Sequence, residues 1–91
     1  MPSNNRIVIN TDEVRFVLKT IEEAREHVLG DYNKIQKAIA NANENGWSDK
    51  TFYNFRDNTL QPYLNYLQNI MHQIDNEIEP ELRKILREYE K

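Results

Sequence analysis

The side chains best suited to acid–base or metal chemistry in this sequence are two histidines and several carboxylates. The histidines are His27 and His72, and the carboxylates that lie close together are Glu22, Glu23, Asp75, Glu77 and Glu79. A metal site or a general acid–base pair would need a histidine near carboxylates in the folded chain. In the helical hairpin that the sequence predicts, the two histidines lie well apart. Carboxylates in this pattern are typical of a solvated helix face. We therefore expect no catalytic residue and no metal.

Motifs for nucleophilic or phosphate chemistry are also missing. The 91-residue sequence has no cysteine and only two glycines, which excludes a thiol nucleophile, a thiolate metal site and a Gly-rich phosphate loop. It contains no nucleophile elbow and no serine or threonine at suggestive spacing from a histidine. The sequence predicts a protein that is not an enzyme and binds no cofactor.

Charge and hydropathy restrict the partners. The net charge is −3, and basic and acidic residues are intermixed, so no basic stripe exists to neutralise a phosphate backbone. No stretch approaches the ~20 apolar residues that span a bilayer, and Ile7-Val8-Ile9 is too short for the apolar core of a signal peptide. We expect a cytoplasmic protein without a nucleic-acid partner or membrane insertion.

The first half of the chain predicts one long amphipathic helix over about residues 11–44. Apolar residues recur in steps of three and four from Val14 to Ala42, which places them in one helical stripe. Asn10 is the predicted N-cap, and Glu13 lies where a capping box needs it. Gly46 in the left-handed conformation is expected to close the helix.

The second half predicts another helix over about residues 49–90, after a turn at 45–48. Ser48 is the predicted N-cap, and the spacing of Trp47 and Phe52 is that of a hydrophobic staple. Pro62 and Pro80 predict kinks, because proline lacks the backbone N–H and disfavours helix in the preceding residue.

A short turn between long helices makes them antiparallel neighbours, with residue i beside residue 92 − i. The predicted fold is therefore all-α, a single helical hairpin over residues 1–91 that dimerises into a four-helix bundle. Residues 1–10, with the β-branched run Ile7-Val8-Ile9, are expected to form an extended arm.

The segment from Asn58 to Ile74 contains no Asp, Glu, Lys or Arg. Interface centres lose charge and gain tyrosine and methionine, so we interpret its apolar face as a partner-binding surface. An ordinary intramolecular core with a neutral back is the alternative. The predicted interface comprises Leu60, Tyr63, Leu64, Tyr66, Leu67, Ile70, Met71 and Ile74.

Arg25 is the one charge within the apolar stripe of the first helix, and it joins this predicted interface. Its expected neighbour on the second helix is near Leu67, in the segment without acidic residues. A lone charge there must reach water, bind a carbonyl or tyrosine hydroxyl, or find an acid on another chain. In the last case Arg25 would fix the register of an assembly.

The turn Asn45-Gly46-Trp47-Ser48-Asp49, followed by Phe52 and Phe55, resembles the small Trp-X-Gly (WXG) helical-hairpin proteins of bacterial type VII secretion. In that family a Trp in the tight turn begins the motif, and aromatic residues usually follow in the next helical turns. Asp49 stands where the family has Gly. The length, the mid-chain turn and the absence of cysteine fit the family over essentially the whole chain.

The resemblance implies a homodimer or heterodimer with a related helical protein. Such a chain is exported through a type VII apparatus without a cleaved signal peptide, or serves as an adaptor or chaperone for a larger secreted toxin-like protein. The family's export signal, Y-x-x-x-D/E after the second helix, has no match after Tyr89, and Tyr53 with Asp57 has the spacing at the other end of that helix. The alternative is an intracellular regulatory or assembly-factor hairpin unrelated to secretion.

Overall fold

The computed structural model describes residues 10–90, which form two antiparallel helices and no strand. Helix α1 spans Thr11–Glu44, and helix α2 spans residues 50–89. Together they make a rod of 69 × 19 × 18 Å. The all-α prediction is confirmed. Apart from Asn10, the predicted extended arm lies outside the described residues.

Both ends of α1 are closed by local hydrogen bonds. The Asn10 side chain caps the helix by accepting a hydrogen bond from the Asp12 N–H at 3.0 Å. At the other end Gly46 has a φ of 110°. The Trp47 N–H donates to the Ala42 carbonyl at 2.9 Å and the Gly46 N–H to the Asn43 carbonyl at 3.3 Å. This pair of bonds is a Schellman motif, so Gly46 closes the helix as predicted.

Helix α2 begins one residue later than predicted, with Asp49 rather than Ser48 as its N-cap. The Asp49 Oδ1 accepts a hydrogen bond from the Phe52 N–H at 2.9 Å. The closure of α1 extends to the backbone of Trp47, so Ser48 is needed to redirect the chain before α2 can start. A carboxylate at the cap is also the better acceptor beside the positive helix end.

Helix α2 passes through both prolines without a break, and a π-helical turn precedes each of them. These turns are Arg56–Leu60, before Pro62, and Ile74–Ile78, before Pro80. The Gln61 N–H bonds to the Arg56 carbonyl and the Glu79 N–H to the Ile74 carbonyl, each five residues back. The wider turn accommodates a residue that has no N–H and whose ring would clash with the carbonyl four residues earlier.

The two π turns share a sequence pattern. Asp57-Asn58 and Asp75-Asn76 occupy matching places in them, and a proline follows each Asn at the fourth position. The segments of α2 before and after each π turn are α-helical. The repeat of Asp-Asn with a proline four residues later is therefore the signal that predicts where α2 widens.

The π turns keep the apolar seam of α2 facing α1. Successive seam residues Phe52, Leu60, Leu67, Ile74 and Leu82 are separated by eight, seven, seven and eight residues. Two α-helical turns take about 7.2 residues, which matches the steps of seven. Each step of eight residues contains one π turn. The π turn holds one residue more than an α-helical turn, so the residue at the end of the step still faces α1.

The core is a narrow strip between the two helices. Its buried members are Leu18, Phe52, Leu64, Leu67, Met71 and Ile74. No buried polar or charged side chain occurs among residues 10–90. Two helices share a single seam, so most apolar side chains are only half-buried or lie on the surface.

The predicted register, with residue i beside residue 92 − i, is wrong over much of the hairpin. Arg25 binds Asp75 rather than lying beside Leu67, and Glu22 binds Arg83. Arg15 binds Glu90 at the open end of the hairpin. Two features omitted from that prediction account for part of this shift: the connection runs from 45 to 49, and each π turn uses one more residue than an α-helical turn.

Candidate interaction surface

An aromatic cluster covers the closed end of the hairpin. The Trp47 ring meets the Phe52 ring edge-on, with centroids 5.0 Å apart, and stacks on the Phe55 ring at 6.1 Å and 27°. Phe52 is only 1% exposed, whereas Trp47 is 39% exposed. The predicted contact between Trp47 and Phe52 is present, although Phe52 is the third helical residue after the Asp49 cap. The turn residues Trp47, Ser48, Asp49, Phe52 and Phe55 thus combine helix capping with aromatic packing.

Arg56 extends this cluster on the first π turn. Its guanidinium carbon lies 5.0 Å from the Tyr53 ring centroid and 5.8 Å from that of Phe52. The Arg56 Nε also donates to the Asp57 carboxylate at 2.8 Å, and this hydrogen bond lowers the pKa of Asp57. The guanidinium is therefore held between aromatic faces and an anion, which fixes its position at the turn.

The residues of the predicted interface differ in their burial in the folded hairpin. Leu64, Leu67, Met71 and Ile74 are buried in the seam between the helices. Leu60 and Ile70 are half-buried, while Tyr63 and Tyr66 are 48% and 60% exposed. The alternative of an intramolecular core therefore applies to the four buried residues. Tyr63 and Tyr66 remain available to a partner.

Apolar residues that are exposed or half-buried continue Tyr63 along one flank of α2. Phe55, Tyr63, Ile70, Ile78 and Ile85 follow one another at steps of eight, seven, eight and seven residues, and each step of eight again contains a π turn. This spacing keeps them on one flank. We call this surface the apolar side, which comprises Phe55, Tyr63, Tyr66, Ile70, Ile78, Ile85 and Tyr89 of α2. Val17 of α1 belongs to it as well, because a helical wheel places Val17 and Glu22 on opposite flanks of the α1 seam.

Sequence reasoning missed Ile78, Tyr89 and Val17 as members of this surface. All three are exposed, Tyr89 at 52% and Val17 at 44%. The sequence predicts interface residues on the second helix only within the uncharged segment from Asn58 to Ile74. Ile78 and Tyr89 lie outside that segment and are surrounded by charged residues. The alternating steps of seven and eight residues are the signal that could have identified Ile78.

The opposite side of the hairpin carries the ion pairs between helices. The Arg25 Nε donates to Asp75 Oδ1 at 2.6 Å, and its second nitrogen donates to Asp75 Oδ2 at 2.9 Å. Arg83 donates to Glu22 at 2.8 Å. On a helical wheel Asp75 and Ile70 lie on opposite flanks of the α2 seam. We call this surface the ion-pair side.

Arg25 is therefore not a lone charge awaiting another chain, because Asp75 of the same chain binds it through two parallel hydrogen bonds. This two-point geometry is the strong form of an arginine–carboxylate contact. The hydrogen bond lowers the pKa of Asp75 and raises the pKa of Arg25. The pair joins the two helices of the hairpin itself.

The two histidines considered for acid–base or metal chemistry lie in separate grooves on the surface of the rod. Within residues 10–90 no group of three or more His, Asp or Glu side chains is placed to hold a metal ion. His27 lines a shallow groove on the outer surface of α1 with Glu23 and Asp31, and His72 lines another on the ion-pair side with Arg25 and Asp75. None of the helices within residues 10–90 combines enough length with enough apolar character to cross a membrane.

Comparison with known proteins yields no relative for this chain. No protein-family model, curated protein or solved structure matches it.

Proposed function

We propose that this chain is a non-catalytic protein–protein interaction module whose apolar side packs against another helical protein to complete a four-helix bundle. The observation that carries the proposal is the row of exposed apolar residues along one side of a hairpin whose core is a single seam. An apolar patch of this extent is unusual on a monomer. Its burial would supply about 25 cal/mol per Å² of apolar surface removed from water.

The turn supports a more specific role in type VII secretion. The aromatic side chains that follow Trp47 along α2 pack directly against it, in keeping with the resemblance of this turn to the Trp-X-Gly hairpin proteins. We propose that the chain is a secretion substrate of that kind, or an adaptor that escorts a larger toxin-like partner from the cytoplasm. A regulatory or assembly-factor hairpin unrelated to secretion would use the same apolar side.

A pair of matched variants tests the interaction role. Tyr63→Glu with Tyr66→Glu puts two charges on the apolar side, and both positions are exposed, so the hairpin should keep its helicity. Gln68→Glu with Asn69→Glu adds the same charge outside it. We expect wild type and the second variant to capture the same helical partner from the native host in a pull-down with mass spectrometry, and the tyrosine variant to lose it. Equal capture by both variants would contradict the proposal.

Export of the chain or its partner distinguishes the secretion role from the regulatory role. In a host with a type VII system, the secretion role predicts that the chain or its captured partner reaches the medium, and that deletion of the secretion ATPase abolishes this. Circular dichroism of each variant provides the folding control. Retention of chain and partner in the cytoplasm, with binding through the apolar side intact, would favour the regulatory role.

A further inference from the structure

We propose that the natural occupant of the apolar side is a different protein, a helix or helical hairpin whose apolar stripe is flanked by Lys and Arg, rather than a second copy of this chain. The inference rests on the proposed function and names the partner chemistry that the surface selects. The distribution of charge around the apolar side carries it.

The outer edge of the apolar side is acidic on both helices. On a helical wheel Glu77, Glu81 and Glu88 lie beside Ile70, Ile78 and Ile85 on the face of α2 turned away from the seam. Glu13 and Asp31 lie on the equivalent outer face of α1, Glu13 one helical turn before Val17 and Asp31 about four turns after it. All five carboxylates are exposed. We call them the acidic rim.

Lys84 is the cation of α2 that lies among these carboxylates, and Lys34 lies beside Asp31 on α1. Neither lysine belongs to the ion pairs of residues 10–90, and five carboxylates against two lysines leave the rim with a net negative charge. Three arginines instead bind acids of the other helix: Arg25 binds Asp75, Arg83 binds Glu22, and Arg15 binds Glu90. The acids in the ion pairs of residues 10–90 are Asp12, Glu22, Glu26, Asp57, Asp75 and Glu90, and none of them belongs to the acidic rim. The ion-pair side is thus nearly neutralised, while the rim keeps its negative charge.

This asymmetry disfavours self-association through the apolar side. A two-fold dimer uses the same patch on both copies, so it would bring two acidic rims together around one apolar contact. Like charges across an interface oppose binding and suppress the wrong partner. A partner with basic flanks meets the same apolar residues and gains attraction at the rim. The acidic rim therefore acts as a specificity determinant between a second copy and a basic partner.

Two designed amphipathic peptides with the same Leu and Ile stripe test the inference, one flanked by Lys and the other by Glu. Binding of each labelled peptide to the full chain is measured by fluorescence anisotropy at 20 mM and 500 mM salt. We expect the Lys-flanked peptide to bind about tenfold more tightly at low salt, with the preference shrinking at high salt because exposed charges are screened. Analytical ultracentrifugation should show the wild-type chain as a monomer at low salt.

Matched variants assign the preference to the rim. Glu77→Gln, Glu81→Gln and Glu88→Gln together should remove most of it. Glu23→Gln, Glu26→Gln and Glu44→Gln change the net charge equally but lie outside the rim, so they should leave the preference in place. Equal loss in both triple variants would overturn the inference, because net charge alone would then explain the binding.

The remaining outcomes separate this inference from the proposed function. Equal binding of both peptides at low salt, or a wild-type dimer as tight at 20 mM as at 500 mM salt, would overturn the basic partner and leave the interaction role standing. Failure of the apolar side to bind either peptide, with the chain a monomer at every salt concentration, would contradict both.

Discussion

The Arg25 guanidinium and the Asp75 carboxylate join the two helices near the middle of the rod, with hydrogen bonds of 2.6 and 2.9 Å. Arg25 comes from the apolar stripe of α1, and Asp75 lies within the second π turn of α2. The contact spans fifty residues of sequence. It therefore ties the phase of the π turn to the register of the hairpin.

This pair should make stability depend on pH. The hydrogen bond from Arg25 lowers the folded-state pKa of Asp75, so its contribution is present above the unfolded value of about 3.9 and is lost as pH falls through the lower folded value. Asp75→Asn should lower the melting temperature at pH 7 and flatten its decline below pH 4. Asp31→Asn is the control, since Asp31 is exposed and belongs to none of the ion pairs of residues 10–90. Equal effects of the two substitutions would contradict this role for the pair.

Trp47 should stabilise the hairpin through its two ring contacts. Trp47→Ala removes the packing on Phe52 and Phe55 and should lower the free energy of unfolding by about 1–2 kcal/mol, with helicity largely retained. Thermal denaturation followed by circular dichroism measures this. Phe16→Ala is the control, because Phe16 is 66% exposed and far from the turn. If stability is unchanged and partner binding is lost, Trp47 is a recognition residue instead.

The start of α2 should depend on Asp49 rather than Ser48. Asp49→Ala removes the acceptor of the Phe52 N–H and should cost about 1 kcal/mol in urea denaturation. Ser48→Ala should change stability by less than about 0.5 kcal/mol. A larger loss from the serine substitution would restore Ser48 as the cap.

The two glycines should respond in opposite directions to alanine. Gly46 has a φ of 110°, where a side chain is strained, so Gly46→Ala should destabilise the hairpin by about 1–2 kcal/mol. Gly30 lies within α1 with no atom near an added Cβ, and Gly30→Ala should stabilise it by about 0.5–1 kcal/mol. Denaturant midpoints compare the two variants, and a shift of the same sign in both would contradict the assigned backbone roles.

The π turns should behave as removable insertions. Deleting Asn76 together with Pro80→Ala shortens the step from Ile74 to Leu82 to seven residues, which a regular α-helix matches. We expect this variant to remain folded. Deleting Asn69 together with Pro80→Ala rotates all later residues by about 100° and should abolish cooperative unfolding. Similar melting curves for the two deletions would show that the π turns do not set the phase.

Local features of the sequence were enough to predict the two helices and the closure of α1 at both ends, whereas the predicted cap of α2 lay one residue too early. Asn10, Gly46 and the contact of Trp47 with Phe52 each depend on residues within a few positions of one another. Helical periodicity, capping and turn chemistry act over that range, so they can be read before any long-range contact is known.

Only the tertiary structure decided which neighbours the helices bring together. The π turns gain their packing value from the seam they keep in phase, Arg25 meets Asp75 only in the resulting register, and the predicted interface divides between the buried Leu67 and the exposed Tyr66. A helical pattern says which residues share a face but not how far one helix is shifted along the other. That shift depends on the length of the connection, on the residues used in each turn and on the packing of side chains along the whole seam, so no local pattern contains it.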